Sequence, residues 1–376
     1  MASQPPQPDG KTFAAAVLTV AAVYVYFLIF AQFGFLQALR TVLVGRGEMV
    51  RPVMAAMGAA GIAGSIIAAC GFGPGGPRRW LMGGFTCCAL GVAFSLGARG
   101  AAGFFTAAAL TGLGAGLTTV TLAGMLRPAV GGEKLGLIIG LGTGVAYGFC
   151  NLPGIFDADA DTQAGLALGA VALGAVGGVR LPARSPPGRL RVADYSRAGI
   201  ARWVTIFLAL VGLDSALFYF IQHHAPLRQQ LWGSSGILVN AGMHLVAATF
   251  AGWALDRSRL GSVVLVGGSA VVSAAFWIAT GRTENGVVGL VYIAGVSAYS
   301  TALVFYPAQG GRPALAAWVY AIAGWVGTAV GIGLAEARDQ WSILPAAVAM
   351  VMLAIGFGGR HLASRRGRTM KENSGP

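Results

Sequence analysis

Charged side chains are scarce in this sequence. They make up 10% of its 376 residues, whereas 56% of the residues are hydrophobic. Soluble domains carry about 25% charged residues, and the mean hydropathy here is +0.70. This composition excludes a water-soluble globule. It predicts a chain that is surrounded mainly by lipid.

Cysteine and histidine are also rare, with four residues of each. All four cysteines fall within apolar runs, which excludes a secreted disulfide framework. HExxH motifs, Ser/His/Asp constellations and glycine-rich phosphate loops are missing in any plausible context. We therefore expect no enzyme activity, no cofactor and no resident metal.

Lysine and arginine number 26 against 13 acidic residues, a net charge of +13. The excess does not indicate a nucleic-acid partner, because the basic residues flank apolar segments. With a cytoplasmic N-terminus, 19 of them fall on the cytoplasmic side and seven fall outside: Arg40, Arg46, Arg51, Arg99, Arg228, Arg282 and Arg338. This asymmetry predicts a multi-pass protein of the inner membrane with both termini in the cytoplasm.

The apolar residues form segments of the length that a membrane crossing requires, about 20 residues. We predict crossings near 12–37, 51–72, 79–98, 102–126, 134–154, 163–183, 200–222, 231–254, 260–280, 286–307, 313–335 and 341–359. The sequence therefore predicts an all-α integral membrane protein with twelve transmembrane helices. We divide it into a first six-helix half (1–183), a cytoplasmic linker (184–199), a second six-helix half (200–360) and a basic tail (361–376).

The two halves share short sequence matches at equivalent positions. FGFLQ at 33–37 returns as FYFIQ at 218–222, and PAVGG at 128–132 returns as PAQGG at 307–311. The offsets are 185 and 179 residues, and a longer first connection in the first half accounts for the difference. A membrane protein built from two copies is typical of transporters, whose binding site lies where the copies meet.

A cytoplasmic connection in the second half carries the most specific motif. The stretch GWALDRSRLG at 252–261 places Gly252 before Asp256 and Arg257. It resembles the loop signature of the major facilitator superfamily. The corresponding first-half loop retains Gly73 and the arginines Arg78 and Arg79 but has no acid. This resemblance implies two six-helix halves that alternate in access, and a cytoplasmic gating loop in which Asp256 pairs with arginines across the inner mouth.

Asp214 is the carboxylate that lies deepest within a predicted crossing. His244, on the next crossing, falls near the membrane midplane. Ionisable residues inside a membrane are rare and usually functional. We expect Asp214 to exchange a proton during transport, with His244 as a candidate partner.

Other polar residues of the crossings are candidates to line the substrate pathway. In the superfamily that the motif resembles, helices 1, 4, 7 and 10 line the cavity, which favours the repeat-related pair Gln37 and Gln222. Further candidates are Asn151, Tyr219, Asn240, Tyr147, Tyr299 and Tyr320. We expect a small solute, the lipid bilayer and protons as partners, and a monomer.

Two other functions remain open from the sequence. Met54, Met57, Met243, His244, the adjacent cysteines Cys87 and Cys88, and His223 with His224 could serve a copper importer of the same fold. The small number of buried charges also fits an assembly factor or sensor that does not transport.

Overall fold

The protein is described by a computed structural model that covers residues 9–43, 47–73, 76–182, 196–233, 236–282, 286–336 and 343–357. These residues form helices and no strands. Of the predicted linker only 196–199 is described, where a long helix begins. The predicted tail at 361–376 lies outside the described residues.

Long helices account for most of the described chain. They are α1 (Gly10–Val42), α2 (Gly47–Gly71), α3 (Pro77–Gly97), α4 (Ala101–Val130), α5 (Leu135–Cys150), α6 (Ala160–Arg180), α7 (Arg197–His223), α8 (Ile237–Asp256), α9 (Leu260–Ala279), α10 (Val287–Gly310), α11 (Pro313–Glu336) and α12 (Leu344–Phe357). Within the described ranges, ten are long and apolar enough to cross a membrane. The apolar helices α5 and α12 are shorter.

Two predicted crossings extended past proline and glycine breaks. The crossing predicted at 134–154 ends at Cys150, because Pro153 begins a separate short helix, Pro153–Phe156. The crossing predicted at 231–254 begins too early. Its first residues belong to the short helix Ala225–Trp232, which ends before an extended Gly233, and α8 starts only at Ile237.

The outward faces of the helices are apolar. Phe250 on α8 is 65% exposed, Val266 on α9 is 69% exposed and Ile355 on α12 is 69% exposed. Large side chains exposed in this way over many helices would be unstable against water but are solvated well by lipid. Their exposure agrees with the membrane environment that the composition predicts.

Glycines let the helices approach closely. A Cβ atom at Gly84 of α3 would lie 2.7 Å from Thr118 Cγ2, and one at Gly114 of α4 would lie 2.7 Å from Cys88 N. Because lipid removes the hydrophobic drive between helices, close backbone packing is a main source of their association. The high glycine content therefore serves packing.

Both repeated motifs lie where early and late helices meet. The rings of Phe33 in α1 and Phe218 in α7 are 5.4 Å apart. At the other end of the bundle, Arg127 beside the first proline motif donates to the carbonyl of Gln309 in the second motif. Each repeat copy therefore contacts its own counterpart.

Candidate functional site

Asp214 lies in α7 about 14 Å from its outer end, since nine residues at about 1.5 Å each separate it from His223. Its two carboxylate oxygens accept hydrogen bonds from Tyr292 and Tyr299 of α10, both at 2.5 Å. The Asp214 side chain is nevertheless partly accessible. Two phenol donors from α10 hold it in place.

Polar residues of α10 contact three other helices. Tyr292 and Tyr299 are seven residues apart, which places both on the same face. Between them, Ser297 hydrogen-bonds His244 Nδ1 of α8 at 2.8 Å. Two residues beyond Tyr299, Thr301 meets Thr143 of α5 at 3.1 Å. Asp214 and His244 thus both bond to α10 but through different residues, Tyr292 and Tyr299 for Asp214 and Ser297 for His244.

Aromatic rings lie beside these polar contacts. The His244 ring stacks on Tyr147 of α5 with ring centroids 4.8 Å apart. The hydroxyls of Tyr24 in α1 and Tyr320 in α11 are 3.4 Å apart. Tyr24, Phe27, Tyr147 and Trp325 remain partly accessible, as Asp214 does. We call Asp214 with its partners Tyr292 and Tyr299 the central site.

Tyr219 lies closer to the outer surface than the central site. Its hydroxyl donates to Glu336 Oε1 at the end of α11, at 3.3 Å. The other oxygen of Glu336 pairs with Arg51 at the start of α2, at 3.1 Å. Arg51 and Glu336 also line an outer cavity of about 750 Å³ together with Arg40. Tyr219 thus contributes to an outer polar cluster.

The remaining pathway candidates occupy helix ends. Asn151 caps α5 by donating to the Tyr147 carbonyl at 2.8 Å. Asn240 is buried and donates to the Leu231 carbonyl at 3.0 Å, which ties α8 to the short helix before it. The repeat-related glutamines differ in environment, because Gln37 is exposed and Gln222 is half-buried. Their role in a pathway stays a prediction.

Asp256 joins the end of α8 to the start of α5. Its carboxylate accepts the backbone N–H of Gly136 at 2.5 Å and that of Leu137 at 2.9 Å. The expected pairing with arginines was therefore wrong. The first N–H groups of a helix lack intrahelical partners and carry a partial positive charge, so an aspartate is a favourable cap for them.

The other residues of the predicted gating loop have separate roles. Gly252 lies within α8 directly against Gly136, whereas Gly73 follows the end of α2 and has open space around it. Gly73 and Gly252, which are 179 residues apart in the sequence, therefore occupy different places relative to their helices. Arg257 stacks over Trp253 at 3.7 Å, and Arg78 donates to the Leu181 carbonyl at 2.7 Å. Arg79 is exposed.

The outer side also has contacts between early and late helices. Arg228 pairs with Asp157 at 3.0 Å. Beside this pair, Phe156 contacts Phe33 and Trp232, with ring centroids 6.1 and 5.9 Å apart. Phe33 and Phe218 complete this outer aromatic cluster.

Within the part of the chain that the structure describes, no three His, Cys, Asp or Glu residues come together as a metal site would require. His244 is engaged with Ser297 and Tyr147. The sequence offered His244 as a possible metal ligand. In the fold its ring contacts the Ser297 hydroxyl and the Tyr147 ring instead.

The sequence prediction missed Tyr292, Ser297 and Glu336. A signal for the first two was present, because polar residues at 292, 297, 299, 300 and 301 interrupt an otherwise apolar crossing. Of these, Tyr292 and Tyr299 are seven residues apart, which puts these two on one helix face. Glu336 offered no such signal, because its partners Arg51 and Tyr219 are remote in sequence.

Comparisons with known proteins identify the fold. No family model and no curated protein sequence matches the chain. Among solved structures it is similar to the proton:xylose symporter XylE, a major facilitator superfamily protein, with a TM-score of 0.67 and 13% identity. That match covers 92% of this chain and 94% of the symporter.

The chain has the major facilitator fold. A bacterial homologue of the iron transporter ferroportin, in an outward-facing state, is also similar, with a TM-score of 0.61 and 14% identity over 92% of this chain and 96% of that one. Together with the apolar helices, the major facilitator fold makes this chain a multi-pass membrane protein.

Proposed function

We propose that this protein is a proton-coupled secondary transporter that moves a small solute across the inner membrane by alternating access. The observation that carries the proposal is Asp214. It is a carboxylate deep in a transmembrane helix, it is held by two tyrosines, and it remains partly accessible. Such groups in membranes usually serve ion or substrate movement.

The contacts between repeat copies support an arrangement of two six-helix halves. Residues beside a two-fold axis contact their own symmetry mates. Phe33 contacts Phe218, its counterpart under the 185-residue offset, and Arg127 beside the first proline motif contacts Gln309 in the second. Such contacts are expected beside a pseudo-two-fold axis along the membrane normal, as in transporters built from parallel repeats.

Contacts that a rocking motion would break lie at both ends of this axis. The Asp256 cap closes the cytoplasmic end, and the Arg228–Asp157 pair lies at the outer end. An exposed ion pair contributes about 0.2–1 kcal/mol, and a charge at a helix terminus typically contributes about 0.3–1 kcal/mol. Contacts this weak can break and re-form during a transport cycle, so each end of the bundle can open in turn.

Protonation of Asp214 would change its bonds to α10. The ionised carboxylate accepts two phenol hydrogen bonds, whereas a protonated carboxyl uses one oxygen as a donor. Hydrogen bonds to a charged group contribute about 1.5–3 kcal/mol each. A proton on Asp214 therefore weakens the tie between α7 and α10 enough to shift a conformational equilibrium. The name of the xylose symporter records proton coupling on the same fold.

Transport in proteoliposomes tests this function. Purified protein would be reconstituted as a monomer and assayed with a panel of metabolites, drugs and metal ions, with a proton gradient imposed in each direction. We expect gradient-driven movement of at least one solute by the wild type and loss of this movement in Asp214→Asn. The matched control Glu336→Gln alters a carboxylate of the outer cluster and should retain gradient-driven movement. Absence of flux from folded wild-type protein would contradict transport altogether.

A further inference from the structure

We propose that the outer cavity binds a small zwitterion with an apolar side chain, as an aliphatic amino acid is. Arg40 and Arg51 would bind its carboxylate, and Glu48 would bind its ammonium group. This site is separate from the central site. The proposal concerns binding alone, so it goes beyond the transport function proposed above. It follows from the size of the cavity, the charges that line it and the hydrogen-bonding capacity that these charges leave unused.

The outer cavity has the size and the lining of a small-molecule site. Its volume of about 750 Å³ lies within the range of about 300–1,000 Å³ that is typical of ligand pockets. Leu43 and Val50 give the cavity an apolar part, and charged side chains give it a polar part. Its lining residues come from the end of α1, the start of α2 and the end of α11. Early and late helices therefore build this cavity together.

The charges on the cavity wall balance. Among the described lining residues, Arg40 and Arg51 are positive, whereas Glu48 and Glu336 are negative. A multiply charged anion would be repelled by the two acids, and a multiply charged cation would be repelled by the two arginines. A solute that is neutral overall but carries both signs can place each charge against its opposite.

Glu336 is the acid that the fold already satisfies. One of its carboxylate oxygens accepts from the Tyr219 hydroxyl at 3.3 Å, and the other accepts from Arg51 Nε at 3.1 Å. Glu336 therefore holds the Arg51 side chain at the cavity wall. This leaves Glu48 as the acid that can bind an ammonium group.

The other three charged side chains have hydrogen-bonding capacity to spare. Arg51 bonds Glu336 through Nε, which leaves its two terminal nitrogens as donors. Arg40 and Glu48 are exposed, and neither is in an ion pair with any residue of the described ranges. Guanidinium groups present forked N–H donors that match a carboxylate. The two arginines together can therefore bind one carboxylate.

The acid and the arginines share the cavity without pairing. Glu48 lies in the first turn of α2, three residues before Arg51. Within the part of the chain that the structure describes, it pairs with neither Arg51 nor Arg40. A zwitterion would join these separated charges, because its ammonium group would meet Glu48 while its carboxylate meets the arginines. Exposed charge pairs are weak singly, so tight binding requires both ends of the ligand.

The test uses three probes of similar shape. Leucine carries both charges, 4-methylpentanoate lacks its ammonium group, and 3-methylbutylamine lacks its carboxylate. Each probe would be titrated at neutral pH into purified full-length protein, and binding would be followed by saturation-transfer NMR, which detects weak ligands. We expect saturable binding of leucine, with a Kd at least about fivefold lower than that of either analogue, because each analogue loses one set of charge-assisted hydrogen bonds.

Variants of exposed residues assign the two ends of the ligand. Arg40→Gln and Glu48→Gln should each weaken leucine binding at least about fivefold, since each removes one charged contact. Arg40→Gln should leave the weak binding of 3-methylbutylamine unchanged, and Glu48→Gln should leave that of 4-methylpentanoate unchanged. Arg99→Gln is the matched control, because Arg99 is equally exposed but does not line the outer cavity. It should bind leucine as the wild type does.

Three results would overturn the proposal. The first is absence of saturable leucine binding to folded wild-type protein. The second is binding of either analogue as tight as that of leucine, which would indicate a site for a single charge. The third is leucine binding that Arg40→Gln and Glu48→Gln weaken no more than Arg99→Gln does, which would place the ligand elsewhere. All three variants replace exposed side chains, so we expect each of them to fold.

Discussion

At the scale of single residues, the Asp214 carboxylate and its two tyrosines form the main polar contact between α7 and α10. Both phenol oxygens lie 2.5 Å from a carboxylate oxygen. Removing one donor leaves part of a buried charge unsatisfied, which costs about 1–3 kcal/mol or more. The three residues should therefore behave as one energetic unit.

The first prediction concerns this unit. Tyr299→Phe should lower the free energy of unfolding by about 1–3 kcal/mol, measured by chemical denaturation in detergent. Adding Tyr299→Phe to Asp214→Asn should cost less, because the charge that needed the phenol is gone. Tyr219→Phe, which removes a 3.3 Å hydrogen bond to half-buried Glu336, is the control and should cost less than Tyr299→Phe. Additive effects of Asp214→Asn and Tyr299→Phe would contradict the coupling.

The importance of Asp214 could be predicted from its isolation in an apolar crossing, but its partners could not. Tyr292 and Tyr299 are 78 and 85 residues away, and only the packing of α7 against α10 brings them to it. Asp256 shows the same limit. Its place in the motif predicted a contact with arginines across the inner mouth, yet no sequence pattern indicated that backbone N–H groups of α5 would be its partners instead.

At the scale of elements, the pair α5 and α8 depends on glycine. Gly136, Gly140 and Gly144 of α5 face α8, where a Cβ at Gly140 would lie 3.0 Å from Gly252 Cα and still closer to the Ala248 carbonyl. The four-residue spacing of these glycines predicts a flat helix face. Which neighbour it meets depends on the folded bundle.

The second prediction tests this packing. Gly140→Ala should lower the free energy of unfolding by about 1–3 kcal/mol, because the added methyl group forces the helices apart. Gly242→Ala is a matched control in α8, since a Cβ at Gly242 meets nothing within 4 Å. Its effect should stay within about 1 kcal/mol and favour the helix. Equal stability of the two variants, measured by the same denaturation, would contradict the close contact.

At the scale of the whole molecule, contacts at the two ends of the bundle oppose each other. Asp256 caps α5 at one end, and Arg228 pairs with Asp157 at the other. Weakening one end should shift the population toward the state open at that end. The repeated motifs predict a two-copy architecture, whereas no feature of the sequence predicted these end contacts.

The third prediction concerns the cytoplasmic end. Asp256→Ala should shift the equilibrium toward an inward-open state by about 1 kcal/mol, since it removes the charged cap of a helix terminus. Spin labels at positions 133 and 259, both exposed, would report the separation of the inner ends by pulsed EPR in a background without the native cysteines. Asp157→Ala should not increase that separation. An unchanged distance distribution in Asp256→Ala would contradict a gating role for the cap.

The most direct test of the central claim requires no knowledge of the solute. Spin-label pairs at 133 and 259 on the inner side and at 41 and 229 on the outer side would be measured across a pH series, in wild type and in Asp214→Asn. We predict that in the wild type acidification lengthens one distance while it shortens the other, and that Asp214→Asn resembles the acidic state at every pH. If both distances ignore pH, change together, or respond equally in Asp214→Asn, then alternating access coupled to protons through Asp214 is wrong.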